Sequence, residues 1–321
     1  NTILFGLMSV LTAHAESFPL LLAARFLTGL GLGGALPILI TMATEAVSPK
    51  WRGTAVSVMY CGVPAGGIIT SLVAISMAKQ FGWESIFYVG GFAPLLLLPV
   101  IWFFLPESKA YLQSKLEAEQ QRFSIPHILF GEGRLFGSIQ LWISFFCTLI
   151  VLYVLLNWLP TLFANQNFSR EEINYVQIGF NVGGVLGTLL LGLLLDKLNI
   201  KAVIIMIYVG MLAALYALSE GSSLSALIAA TTACGIFIIG GQGALYALAG
   251  MFYPAAIRGT GVGTAVAVGR AGSFAGPILA GLILGAGQAS GAVISAAIPV
   301  IAVAFISAFL LVLRFKHHKH D

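Results

Sequence analysis

Two arginines lie inside long apolar runs of this chain, and a charge in such a setting needs a chemical reason. Arg270 stands 12 residues past Arg258, about 18 Å along a helix at 1.5 Å per residue. No acidic residue occurs in its run, GVGTAVAVGRAGSFAGPILAGLI. A charge buried at that depth in a membrane costs at least ~2.5–3.5 kcal/mol and marks a functional site by default. The planar guanidinium fork matches a carboxylate, which makes an organic acid its natural partner. A structural arginine tied to backbone carbonyls is the competing reading. Arg25 lies 20 residues before Glu45, about 30 Å from the same edge, where it either joins a binding site or anchors at the interface. The spacing Arg25-x-x-x-Gly29-x-x-x-Gly33 places it on a small-residue face, directed toward protein.

Other polar residues share this depth. Tyr60 falls about 12 Å above Arg52, and Asn181 about 22 Å above Asp196. Gln242 and Tyr246 come near mid-span in the helix that ends around Met251. Asn157, with Tyr153, lies higher toward the outside. Singly, each suits a hydrogen bond between helices; together, one cation, a few amides and several aromatics suit an aromatic carboxylate. A second constellation gathers at helix ends. Arg52-Gly53-Thr54 recurs as Arg258-Gly259-Thr260, and Glu45 and Asp196 sit at corresponding edges. An anion is favoured at a helix N-terminus. Asp196 is therefore predicted to meet the helix start at Arg52–Thr54, paired with Arg52, as a gate latch with Glu45 and Arg258 beside it. A plain topology signal is the alternative.

Enzyme chemistry has no foothold here. The chain has no nucleotide-binding loop, no HExxH and no serine elbow. No cofactor or metal site is expected. Cys61, Cys147 and Cys234 lie far apart in apolar segments, without metal-ligand spacing, and read as small packing residues. The histidines of the terminal RFKHHKHD read as part of a solvated basic tail.

These residues need long apolar elements to hold them. The chain is 59% hydrophobic and 9% charged, against about 25% charged in soluble domains. Nine segments are long enough to cross a bilayer as helices: 18–46, 52–78, 84–105, 138–163, 171–195, 201–219, 224–250, 257–286 and 291–313. A tenth, 3–13, is too short at about 16 Å. The repeated Arg-Gly-Thr phrase implies two homologous bundles with a ligand site between them. From Ser138 to Arg258 is 120 residues, yet only 51 precede Arg52. That offset predicts about 69 absent residues and a twelve-helix parent, of which this chain holds the third, in part, to the twelfth. The expected organisation is a partial first bundle at 1–105, a cytoplasmic linker at 106–137, a six-helix bundle at 138–313 and a tail at 314–321. Glycines at Gly29/Gly33, Gly179/Gly183/Gly187 and Gly272/Gly276 supply close-packing faces. Alternating the loops puts twelve Lys and Arg on one side, against Lys79 and Arg170 on the other. The basic side is cytoplasmic, the C-terminus included. The net charge of +4 is thereby topology charge, with no call for a nucleic-acid partner.

RFLTGLGLGG (25–34), GLLLDKLNIK (192–201) and PES (106–108) resemble signatures of the major facilitator superfamily. SPKWRGTAVSVMYCGVPAGG, LLNWLPTLF and IRGTGVGTAVAVGRAG are similar to its aromatic acid:proton symporters, carriers of hydroxyphenylpropionate, benzoate, 4-hydroxybenzoate or vanillate. The resemblance implies an all-α membrane protein of two six-helix bundles rocking about a central cavity. It implies roles for Arg25 and Arg270 in substrate transport, protons as co-substrate, and a bacterial inner membrane. It also implies that the acids linked to proton coupling precede Asn1. Efflux antiport, suggested by GVPAGG, and a non-transporting remnant are the alternatives.

Overall fold

The structure is a computed structural model that describes residues 1–104, 129–164, 168–221, 223–254 and 257–313. Most of the expected linker, from 105 to 128, and the whole tail 314–321 lie outside the described residues. All regular structure described is helical. The helices are α1 (Thr2–Ala13), α2 (Phe18–Gly33), α3 (Ala35–Glu45), α4 (Arg52–Tyr60), α5 (Gly62–Ser76), α6 (Ala78–Phe81), α7 (Glu84–Leu96) and α8 (Leu98–Phe104). They continue as α9 (Leu135–Ala164), α10 (Arg170–Lys197), α11 (Ile200–Glu220), α12 (Leu224–Cys234), α13 (Gly240–Phe252), α14 (Arg258–Gly285) and α15 (Ser290–Leu313). A π-helical turn, Gly235–Ile239, joins α12 to α13.

Merged across their kinks, eight helical stretches are long and apolar enough to cross a membrane among the described residues. Thr2–Ala13 is apolar but short, as its length dictates. The expected segment at 84–105 is helical from Glu84 to Phe104, with one break at Leu97 between α7 and α8. Proline explains this break and two others. Pro99, Pro37 and Pro64 each lack an amide hydrogen and crowd the carbonyl four residues back. The interruptions at Leu97, Gly34 and Cys61 fall two or three residues before them. Helix starts follow ordinary capping. Ser169 and Glu172 form a reciprocal capping box on α10, and Ser17, Asn199 and Ser223 cap α2, α11 and α12.

The chain divides into two compact units. The first is Asn1–Met42 with Gly66–Gln121. Within it α1 meets α7 where Gly6 and Gly91 face each other; a Cβ on Gly6 would rest 3.1 Å from the Gly91 carbonyl. Helix α2 buries Ala24, Thr28 and Gly31, one stripe at helical spacing. Gly31 lies against Phe5, whereas a Cβ on Gly29 or Gly33 would meet nothing within 4 Å. The expected Arg25–Gly29–Gly33 packing face is thus rotated away from the buried stripe of its unit. Glycine spacing alone gives no absolute rotation.

The second unit is Ala43–Ala65 with Arg122–Asp321. Its core holds Phe145, Leu149, Leu155, Phe180, Met211, Leu215 and all of Gly240–Gly250. Here the small-residue faces are used as expected. Cβ atoms on Gly183 and Gly187 would collide with the backbone of Thr232 and Ile236, and on Gly272 and Gly276 with the carbonyls of Phe146 and Ile150. Such approach maximises dispersion contact where lipid offers no hydrophobic drive. Large apolar side chains such as Phe274 (71% exposed) and Tyr216 (63%) point outward, the surface a bilayer would cover. Cys147 and Cys234 are buried free thiols; Cys61 is free and only half-buried.

Candidate functional site

Arg270 is half-buried on α14, and its guanidinium donates a hydrogen bond to the Tyr153 hydroxyl of α9. The same group lies 6.0 Å from the Tyr153 ring centroid. Tyr246 and Tyr60 are close enough for the arginine's charge to act on their phenols. Helices α9 and α14 are pressed together by Gly272 and Gly276. They are also tied by Trp158, whose indole donates to the Pro277 carbonyl at 3.1 Å. The arginine therefore stands on a close-packed helix pair. Among the described residues its polar neighbours are phenols rather than a carboxylate or a ring of carbonyls.

An aromatic cluster lies beside it. The Tyr246 ring is 4.9 Å from Tyr60 and 5.2 Å from Phe145, centroid to centroid, in the range of favourable aromatic pairs. Phe145 also borders Arg270's helix, since a Cβ on Gly269 would rest 3.2 Å from the Phe145 Cβ. Gln242, one helical turn before Tyr246, is 0% exposed. It sits beside the Tyr246 hydroxyl. Neither of its amide atoms makes a hydrogen bond of good geometry to any described residue.

Other expected members stand apart. Asn181 is buried, but its amide donates back to the Gln177 carbonyl at 3.0 Å, a bond within its own helix. Asn157 lies one turn beyond Tyr153 and is exposed. Arg25, in the first unit, is exposed, with its guanidinium 5.2 Å over the Phe87 ring. Phe145 was missed because one phenylalanine among 22 carries no polar signal. Tyr153 reached the right helix in the sequence reading but was set too far outward to be grouped with Arg270.

The helix-end cluster is dense. Asp196 accepts hydrogen bonds from the backbone amides of Gly53 (2.8 Å) and Thr54 (2.6 Å) and from the Thr54 hydroxyl (2.6 Å). A carboxylate thus caps the N-terminus of α4, where orphan amides and the helix dipole favour an anion. Gly53 makes this possible: a Cβ there would lie 2.6 Å from the carboxylate oxygen. Arg52 turns elsewhere, donating from Nε to the Thr44 carbonyl at 3.3 Å. Arg258 donates to the Tyr253 carbonyl at 3.3 Å and places a guanidinium nitrogen 4.0 Å from the Glu45 carboxylate. The two arginines of the repeated phrase therefore converge on the C-terminal end of α3, the negative end of its dipole. The expected Asp196–Arg52 pairing is replaced by this division of labour.

The sequence matches the Major Facilitator Superfamily over residues 2–219 and again over 141–321. It is 44% identical to the 3-(3-hydroxy-phenyl)propionate transporter of Escherichia coli (strain K12), over 97% of this chain and 76% of that protein. It is 32% identical to the 4-hydroxybenzoate transporter PcaK of Pseudomonas aeruginosa, over 88% of this chain and 70% of the relative. The fold resembles the proton:xylose symporter XylE bound to 6-bromo-6-deoxy-D-glucose, with a TM-score of 0.76 at 18% identity, over 98% of this chain and 78% of that one. The chain belongs to the Major Facilitator Superfamily and is a multi-pass membrane protein of a transporter family.

Proposed function

We propose that this protein is a secondary transporter that imports aromatic carboxylates across the bacterial inner membrane by proton symport and alternating access. The observation that carries the reading is Arg270, a membrane-depth cation whose described neighbours are phenols, beside the Phe145–Tyr246–Tyr60 cluster. Arg270 clamps the carboxylate and the aromatic cluster takes the ring. Arg25 serves as a secondary cation. The described relatives transport 3-(3-hydroxyphenyl)propionate and 4-hydroxybenzoate, both aromatic acids, which supports the substrate class.

A co-transported proton suits the charge of the cargo. Moving one elementary charge against the membrane potential costs about 2.3 kcal/mol per 100 mV. An acid anion entering an inside-negative cell works against that field, and a proton carried with it cancels the charge. Two bundles joined by a cytoplasmic linker supply the rocking parts. Asp196 on the start of α4, with Arg52, Arg258 and Glu45 around the end of α3, latches the cytoplasmic side.

Proteoliposomes loaded at neutral pH and placed in an acidic medium test the proposal. Radiolabelled 3-hydroxyphenylpropionate should accumulate transiently, and a protonophore should abolish the accumulation. Extrusion rather than uptake under that gradient would point to antiport, and gradient-independent equilibration would remove coupling.

A further inference from the structure

Among the described residues, Gln242 is the side chain near the aromatic cluster with both polar atoms buried and neither in a hydrogen bond of good geometry, although it lies beside the Tyr246 hydroxyl. An amide carries two N–H donors and a carbonyl acceptor. Leaving them unpaired in a dry interior is costly, and each such group needs an explanation. Its position is not accidental. The π-helical turn Gly235–Ile239 precedes it directly. One extra residue in a turn rotates everything after it about the axis, and such turns recur at functional sites. The turn is itself held by α10, because a Cβ on Gly187 would strike Ile236.

Four residues set the frame. Phe145 touches both Arg270's helix and Tyr246, and Gln242 lies one turn from Tyr246 on the same helix. We infer that a substrate ring held by this cluster, with its carboxylate on Arg270, brings its far edge to Gln242, and that Gln242 reads a hydroxyl there and so selects hydroxylated aromatic acids over those bearing hydrogen at the same carbon. The inference rests on the carboxylate reading of Arg270 and adds a second recognition point to it. A phenolic hydroxyl can donate to the amide carbonyl or accept from the amide nitrogen. An unsubstituted ring does neither and leaves the amide unpaired in the bound state as well. Sites built to hydrogen-bond a hydroxyl reject the analogue lacking it strongly.

The test is equilibrium binding of 3-hydroxyphenylpropionate and 3-phenylpropionate to the purified protein in nanodiscs, for wild type, Gln242→Leu and Gln242→Met. Wild type should prefer the hydroxylated acid by about tenfold or more. Both variants should bring the two acids within about threefold, with phenylpropionate bound at least as well as by wild type, since no amide is left to strand. The neutral amide of each acid is included as a control. Absence of a wild-type preference overturns the inference, whether or not the variants fold. So does an undiminished preference in either variant, which would mean that the amide is satisfied by structural water. Neutral amides bound as tightly as the acids would sink the carboxylate reading, a separate and recognisable result.

Discussion

At the scale of single residues, Arg270 shows how a charge is kept in an apolar setting with no acid beside it among the described residues. Its hydrogen bond to Tyr153 supplies one charge-assisted contact, and a guanidinium has further donors that suit a ligand of opposite charge. Tyr153→Phe removes the phenol oxygen and leaves a half-buried donor unmatched, a cost of about 1–3 kcal/mol. A bound carboxylate should replace the missing partner. Thermal unfolding of the variant should therefore show a lower midpoint without ligand but a larger ligand-induced rise than wild type. An unchanged ligand shift would mean that the acid never reaches Arg270. Depth along a helix was legible in the sequence, and it found Arg270, Tyr246, Tyr60 and Gln242. Rotation about the axis was not. Asn181 has the right height, yet it spends its amide on Gln177, and Arg25 faces Phe87 rather than a packed stripe.

At the scale of elements, glycine does opposite things in faces that look alike in sequence. Gly187 touches the backbone of Ile236, whereas Gly29 has nothing within 4 Å. Gly187→Ala pushes a methyl into a carbonyl that cannot move without distorting the π turn. Overpacking of this kind typically costs 1–3 kcal/mol. Gly29→Ala meets no atom of its unit and gains up to ~1 kcal/mol of helix propensity. Detergent unfolding assays on the pair should show a clear loss for the first and no loss for the second. Equal tolerance would contradict the packing described for α10. Proline accompanies the breaks at Gly34, Cys61 and Leu97, yet Pro160, Pro277 and Pro299 sit inside unbroken helices, so proline alone does not mark a break. The π turn gave no warning, because an inserted residue leaves the apolar composition unchanged.

At the scale of the whole molecule, the repeated Arg-Gly-Thr phrase is a structural statement. Both copies start a helix, and both arginines reach the end of α3, one at the Thr44 carbonyl and one at Glu45. Asp196 completes the set by capping α4. The sequence placed Asp196 at the helix start Arg52–Thr54, where it is found, but added a pairing with Arg52, whose guanidinium donates to the Thr44 carbonyl instead. Asp196→Asn keeps the shape, removes the charge and loses a stabilisation of about 0.3–1 kcal/mol, or up to ~2 where partly buried. Transport should fall while membrane insertion and expression stay normal, because the substitution affects a latch rather than a core. Wild-type uptake at equal expression would show that the contact is a topology feature alone. Fold class was readable from apolar run length and the low charged fraction, since both follow from the thickness of a bilayer.

Binding of 3-hydroxyphenylpropionate and its neutral amide to wild type, Arg270→Lys and Arg270→Ala tests the central claim most directly. Wild type should bind the acid and discriminate against the amide. Lysine keeps the charge but loses the planar fork, so affinity for the acid should fall. Alanine should abolish binding of the acid without creating affinity for the amide. Undiminished binding of the acid by Arg270→Ala would show that the arginine is structural and would contradict the account.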